Sequence, residues 1–374
     1  MAEEKLRDWN FSDTTHKDTQ YLTHCFHPYP TKFIPQIPHR LIELYSSHHE
    51  DVVLDPFCGS GTTLVEAKLM GRPSIGIDTN PLAIMISRSK VNPVVKKQLV
   101  DFVSWLDYWK QKDLKMLQSK RNCLCETGTW FREDVLAQIN LIMERMVEIR
   151  DPNTHNFVKV ALSSILKGVS NARMDRIIPT LPREHVYIDR KHYDREVDND
   201  GRTINVFARL SSRLKLMQSR LEYFLPMTGN TKAAAYLGDA RKLDKIRSDL
   251  LKEGRVRLVV TSCPYWSAFD YQKIHQLSLG LFNLRRTSPE AEIGHGHFLL
   301  EMEKVYEQIS KYLMKKGFFC LVIGRSKKRV NKKLAQMGSK YEMPLREKFT
   351  RKIRNHSFFV KGIKSEEILV FQRS

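Results

Sequence analysis

Residues 51–78 constrain this chain more than any other stretch. Asp51-Val-Val-Leu-Asp55 is a short apolar run held between acids, the pattern of a parallel strand buried on both faces. The chain then passes through Pro56-Phe-Cys-Gly-Ser-Gly61, where two glycines allow a tight turn with no side chain in the way. Thr62–Met70 carries apolar residues at Leu64, Val65, Ala67 and Leu69 and stops at Gly71, which predicts a helix with a glycine end. Ser74-Ile-Gly-Ile-Asp78 is a second strand closing on an acid. Strand, glycine turn, helix and strand make one β-α-β unit.

The turn implies a ligand. Glycines let the main chain approach one closely, and the N–H groups that open the helix face the same crevice. Asp78 ends the next strand, where a carboxylate can accept both ribose hydroxyls of a nucleoside. Leu64 takes the third glycine's place in Gly-x-Gly-x-x-Gly, which disfavours a dinucleotide pyrophosphate. The Gly-x-x-x-x-Gly-Lys-Ser/Thr pattern is absent as well, so the turn is not a P-loop. A nucleoside without a diphosphate is the better ligand; a purely structural turn is the competing reading.

A second strand of the same kind, Leu258 to Val260, runs straight into the polar-Cys-Pro-aromatic tetrad Ser262-Cys-Pro-Tyr265. Between the two, Ala233-Ala-Ala-Tyr-Leu-Gly-Asp239 reads as a short strand ending on an acid. Ahead of the first, Phe26-His-Pro-Tyr-Pro-Thr-Lys-Phe-Ile-Pro35 is extended and pre-ordered by its three prolines, and an amphipathic helix follows through Tyr45.

Asp55-Pro-Phe-Cys-Gly-Ser-Gly-Thr-Thr63 and Ser262-Cys-Pro-Tyr265 together resemble the cofactor and catalytic motifs of S-adenosylmethionine-dependent methyltransferases that act on exocyclic amino groups of DNA bases. The resemblance implies an α/β fold, a Rossmann-like seven-stranded methyltransferase sheet with a large, mainly helical insertion. It gives S-adenosylmethionine as cofactor. By residue-wise analogy Asp55, Pro56, Phe57, Cys58, Gly59, Gly61 and Thr62 form the cofactor loop, and Asp78 holds the ribose. Asp239 stands where the family often contacts the adenine, and Lys32 and Phe33 lie in a segment similar to the one beside the methionine pocket. The tetrad Ser262, Cys263, Pro264 and Tyr265 becomes catalytic. Cys263 departs from the family, which has proline there and uses the main-chain carbonyl. A serine at the head of the tetrad leans towards N4 of cytosine, whereas aspartate or asparagine leans towards N6 of adenine.

The tetrad suits that chemistry. An exocyclic amine conjugated to a base ring is a poor nucleophile. A side-chain acceptor (Ser262) and a main-chain carbonyl (Cys263) can take its two hydrogens and aim its lone pair at the methyl. The displacement is then helped by positioning and electrostatics. Pro264 stiffens the turn, and Tyr265 stacks on a base that has left the duplex.

Residues 93–230 are far too long for an ordinary connection. Helical apolar spacing marks 94–117, 130–149, 156–169 and 203–224, with polar, loop-like stretches at 171–182 and 189–200. Three parts follow: 1–92 with the cofactor loop, 93–230 as an inserted helical target-recognition domain, and 231–374 with the catalytic motif. Arg173 and Arg176 suit base-edge contacts in that insertion. The helix expected over 298–314 precedes a buried strand at 317–324, and 357–360 with 367–372 read as a closing antiparallel pair.

The chain of 374 residues has 62 Lys+Arg against 42 Asp+Glu, a net charge of +20 that points to a polyanion. Half of it lies in 325–354, with twelve basic residues and two acids, read as a patch beside the target pocket or a solvated loop. Arg325, Lys327, Lys328 and Arg329 lead this stretch as phosphate contacts. No window approaches a membrane helix of about 20 apolar residues. Residues 1–8 hold no apolar signal core, and six scattered cysteines fit a reducing, cytoplasmic setting. No metal is expected: Cys123-x-Cys125 lacks a second Cys/His pair at zinc spacing, and His24/His27 and His295/His297 read as ordinary histidines.

The expected activity is therefore site-specific methylation of double-stranded DNA at N4 of cytosine, in a restriction-modification system with a cognate endonuclease. The alternatives are an N6-adenine DNA methyltransferase, an RNA guanine-N2 methyltransferase, and a non-enzymatic basic nucleic-acid-binding protein.

Overall fold

The structure, a computed structural model, describes residues 8–30, 32–114, 117, 130–181, 204–263, 271–284, 297–324, 330–353 and 365–374. The chain divides into two compact units. The first comprises 1–91, 222–269 and 286–374; the second comprises 92–221 and 270–285.

The first unit is built on a seven-stranded sheet: β1 (Val52–Asp55), β2 (Ser74–Asp78), β3 (Ala233–Leu237), β4 (Val256–Ser262), β5 (Leu313–Gly324), β6 (Leu345–Lys352) and β7 (Ser365–Gln372). Their order is β3-β2-β1-β4-β5-β7-β6. The first five run parallel, and β7 is antiparallel to both neighbours. This is the Rossmann-like methyltransferase sheet that the motifs imply. From β1 the chain steps outward one way to β2 and β3, then returns and steps the other way from β4 to β5. The gap between β1 and β4 is therefore the topological switch point, where open α/β sheets leave a crevice at the carboxyl ends of their strands.

Two cores cover the two faces. Leu54, Ile75, Ile77, Val259, Tyr306 and Phe319 pack on one face. Val53, Leu258, Val260, Ile37 and Leu41 pack on the other. Alternate residues of β1 and β4 serve opposite faces, as a period-two strand covered on both sides requires. Helices α1 (Gln36–Tyr45), α2 (Thr62–Leu69) and α3 (Pro81–Val91) belong to this unit, as do α9 (Phe298–Tyr312) and α10 (Val330–Lys340).

The second unit holds α4 (Lys96–Trp109), α5 (Glu133–Met146), α6 (Pro152–Val169), most of α7 (Val206–Met227) and α8 (Tyr271–Leu281). Asp151 caps α6 by accepting from the Thr154 N–H at 2.7 Å, with Pro152 at the first helical position. Trp109 stacks on Phe207 with ring centroids 5.9 Å apart, and Ser163 and Ser278 join α6 to α8 at 2.6 Å.

The sheet closes differently from the expectation. Its antiparallel pair is β6 with β7, so the strand partner lies within the basic stretch; residues 357–360 fall outside the described residues. The same stretch also contains α10. Its Val330 and Leu334 are buried four residues apart among lysines, and Gly338 lies against Phe371, where a Cβ would stand 2.5 Å from Cδ1. β6 is mostly exposed and carries Arg346, Lys348, Arg351 and Lys352 at the sheet's edge. Charge on an edge strand opposes pairing with another chain, so part of the basic excess has a structural use.

Candidate active site

The residues of the two motifs meet at the switch point. Asp55, the last residue of β1, is buried. Its Oδ1 accepts from Thr261 Oγ1 on β4 at 2.6 Å and from the Phe57 N–H at 3.1 Å. Its Oδ2 accepts from Thr63 Oγ1 in the first turn of α2 at 2.6 Å. One carboxylate thus ties β1, β4 and the start of α2 together. Burial pushes it up to about 6, against the pull of those hydrogen bonds. Asp55 acts here as a brace, since the chain's own donors surround it.

Ser262 ends β4 half-buried, one residue past that brace, and Cys263 follows it, buried. Burial pushes the Cys263 thiol up to about 12, so it is no thiolate nucleophile at neutral pH. Pro264 and Tyr265 lie outside the described residues.

The glycine loop folds back over the end of β2. The Cys58 N–H donates to Ile77 O at 2.9 Å and the Gly59 N–H to Asp78 Oδ2 at 3.0 Å. Asp78 Oδ1 accepts from the Asn80 N–H at 2.8 Å, so the half-buried carboxylate is held between the loop and the start of α3. Gly61 has φ +77°, and a Cβ there would stand 2.7 Å from Ser87 Oγ on α3. Both the conformation and the close approach require glycine. Ser87 Oγ donates to Gly59 O at 2.9 Å. Pro56, Cys58 and Thr62 are buried in this loop, and Phe57 is half-buried against the core.

Asp239 lies just past β3, beside β2: the neighbouring Gly238 N–H donates to Asp78 O at 3.0 Å. Its carboxylate takes Arg241 from two nitrogens, at 2.6 and 2.9 Å, and Arg241 also reaches Glu301. Lys32 Nζ donates to His24 O at 3.0 Å, and burial lowers it to about 8. Phe33 packs with Ile37 and Leu41 in the core on one face of the sheet. In the second unit, Arg173 is engaged twice by Asp175, at 3.0 and 2.8 Å, while Arg176 is largely exposed. Arg325, Lys327, Lys328 and Arg329 lie outside the described residues.

Several contributors have no motif of their own. Tyr29 lies over Gly59, whose Cβ would meet its ring at 3.5 Å, and its hydroxyl accepts from Asn80 Nδ2 at 3.4 Å. Gly76 of β2 leaves room for Cys58 and Leu64, each 2.7 Å from where its Cβ would be. Glu66 of α2 is fully buried and accepts from Tyr21 OH at 2.5 Å, His24 Nε2 at 2.6 Å and His39 Nδ1 at 2.8 Å. Burial alone would raise it, but those three partners hold it down at about 2. This cluster fastens the arm before the first strand onto α2. Only Asn80 carried a local signal, as a helix-capping residue directly before Pro81.

No group of three or more His, Cys, Asp or Glu among the described residues is arranged to hold a metal ion. No helix there is long and apolar enough to cross a membrane.

Comparison with known proteins adds independent sequence evidence. The profile of the N6_N4_Mtase family, described as DNA methylase, matches residues 2–88. The type II methyltransferase M.MvaI of Kocuria varians is 32% identical over 165 residues, covering 42% of this chain and 36% of that protein. M.MjaII of Methanocaldococcus jannaschii is 25% identical, covering 78% of this chain and 69% of that protein. A tRNA (guanine(10)-N2)-dimethyltransferase of the same archaeon is 39% identical over 62 residues, 17% of each chain. The chain therefore spans about a third of the first relative's length and somewhat over two thirds of the second's. With the sheet order, these matches make the chain similar to the amino-group DNA methyltransferases, the likeness being carried most directly by the segment up to residue 88.

Proposed function

We propose that this chain is a DNA methyltransferase that moves a methyl group from S-adenosylmethionine to the exocyclic amine of a flipped base, N4 of cytosine by preference. The observation that carries the reading is the Asp55–Thr261 hydrogen bond at 2.6 Å. It joins the nucleoside loop to the residue directly before Ser262, at the crevice where this sheet topology binds ligands.

The loop fits the cofactor. Gly59 and Gly61 both have positive φ and present main chain rather than side chain. Asp78 is positioned beside them by two N–H donors, at the place suited to ribose hydroxyls. When bound, S-adenosylmethionine supplies an electrophilic methyl on a positively charged sulfur. The chain's own groups orient the acceptor. Ser262 Oγ and the Cys263 carbonyl take the two amine hydrogens and draw the nitrogen lone pair out of the ring system. They also stabilise the positive charge that grows on nitrogen. Removing one base from the duplex costs a few kcal/mol, which stacking in the pocket offsets.

The net charge of +20 supports a double-stranded DNA substrate through phosphate contacts. The helical insertion, with Arg176 exposed, is the part assigned to target recognition, and a cognate restriction endonuclease belongs to the same reading. Guanine-N2 of RNA is the second reading, favoured by the similarity to the tRNA enzyme.

Titration with S-adenosylmethionine tests the cofactor assignment. Asp78→Ala removes a charged acceptor for two hydroxyls and is expected to weaken binding about ten- to a hundredfold. Equal binding by the variant and the parent would contradict an enzyme reading and favour a nucleic-acid-binding protein that takes no cofactor.

A further inference from the structure

In the second unit, the loop that follows α6 presents Met174, Asp175 and Arg176 to solvent. Surface loops are ordinarily the most mobile part of such a unit. This one is fastened at its neck, at its tip and on its far limb. The Asn171 N–H donates to Trp130 O at 2.8 Å, and the Arg173 N–H to Thr180 O at 3.0 Å. Lys167, half-buried in the last turn of α6, donates from Nζ to Met174 O at 3.3 Å and to Arg176 O. Gln276 of α8 donates from Nε2 to Pro179 O at 2.8 Å. Arg173 and Asp175 add a two-bonded ion pair within the turn.

The bracing takes the main chain of residue 174 and leaves its side chain outside, 53% exposed. The Arg176 side chain beside it is 63% exposed. Two arginines of α7 reach the same end of α6, Arg209 through Gly168 O at 2.8 Å and Arg213 through Ser164 Oγ at 3.0 Å. Lys167, Arg173, Arg176, Arg209 and Arg213 thus gather there against Asp175, an excess that draws in phosphates. A single exposed apolar side chain is ordinary. One held on a fastened turn among cations is aimed at something apolar that lies behind phosphates, and a base stack is such a target. An anionic membrane is another, but binding there scales with buried apolar area, of which one methionine supplies little.

We propose that Met174 is an apolar wedge that enters the base stack of duplex DNA, with Arg176 and the cations around it on the backbone phosphates. The inference rests on the DNA substrate assigned above and adds the residue that opens the stack. Parting two bases costs free energy, which contact with an unbranched, polarizable side chain offsets in part. A wedge transmits its push only if its mounting does not yield, which gives the bonds from Lys167 and Gln276 their use. An opened step also lowers the cost of extruding the base that accepts the methyl group.

Ligation of a nicked plasmid in the presence of the full chain tests the wedge. Unstacked steps are underwound, and ligation records them as a shift in linking number. Gel shifts on the same plasmid match the occupancy of each protein. The parent is expected to shift the topoisomers further as occupancy rises. Met174→Ala should lose most of that shift at matched occupancy, and Met174→Leu should keep it. Both variants should melt with the parent, since the bracing uses the main-chain carbonyl of residue 174. An unchanged shift in Met174→Ala, or a bound parent that produces none, would overturn the wedge and leave the DNA assignment standing. A parent that binds no plasmid would overturn that assignment, and the wedge with it. So would one that binds only transfer RNA, or only vesicles of phosphatidylcholine and phosphatidylserine.

Discussion

Ser262→Ala is expected to slow methyl transfer by roughly 10²–10³-fold, the range seen when one preorganised polar group is removed from a charge-developing transition state. Binding of cofactor and of DNA should stay within a few-fold of the parent. The reason is positional. Ser262 stands half-buried at the carboxyl end of β4, and the contact that holds the strand end belongs to Thr261. Losing the Ser262 hydroxyl therefore removes an acceptor for the amine without loosening the frame. Single-turnover kinetics separate the two effects: the chemical step falls while the Kd values hold. A variant that keeps its chemical step would remove Ser262 from the mechanism.

Asp55→Ala should act in the opposite way, through the frame. The substitution leaves the Thr261 and Thr63 hydroxyls and the Phe57 N–H without their acceptor in a buried place. Each such group costs about 1–3 kcal/mol, so the variant is expected to lose about 3 kcal/mol or more and to melt several degrees lower. Turnover should fall with it, because the loop and the tetrad are no longer tied together. The pH dependence gives a second readout. The folded state holds the Asp55 proton more tightly than the unfolded chain, with a value raised from 3.8 to about 6. Its contribution to stability is therefore full below about pH 4 and is lost as pH rises through about 6. Buried Glu66 and His24, both held below their ordinary values, shift the two proteins alike. The stability gap between the parent and Asp55→Ala in denaturant titrations should therefore be wider at pH 4 than at pH 7.

The local parts of this site were legible in the sequence. An apolar run between acids marked β1, a run closing on an acid marked β2, paired glycines marked the loop, and Gly71 marked the end of α2, because each depends on neighbours within a few residues. What joins the parts was not legible. Asp55 and Thr261 are 206 residues apart, and no local pattern pairs a strand-end aspartate with one particular threonine. Likewise Tyr29 over Gly59 and Ser87 against Gly61 follow from packing that only the assembled sheet defines. Phe33 likewise packs with core aliphatics far along the chain from any pattern that could announce the contact. In 325–354 the high charge masked a helix and an edge strand, because their apolar positions are few and widely spaced.

The ion pairs of the expected site residues are local. Asp239 and Arg173 each meet an opposite charge two residues away, in Arg241 and Asp175. A short-range pair of that kind stiffens a turn and limits what either member offers to a partner. Arg176 is the better exposed of the two arginines.

The account turns on which atom receives the methyl group. Double-stranded DNA carrying many sequence contexts is incubated with the protein and S-adenosylmethionine, then digested to nucleosides and resolved by mass spectrometry against authentic standards. The account predicts N4-methylcytosine and none of the ring-carbon product. Detection of 5-methylcytosine, or methyl transfer to RNA with none to DNA, would contradict it.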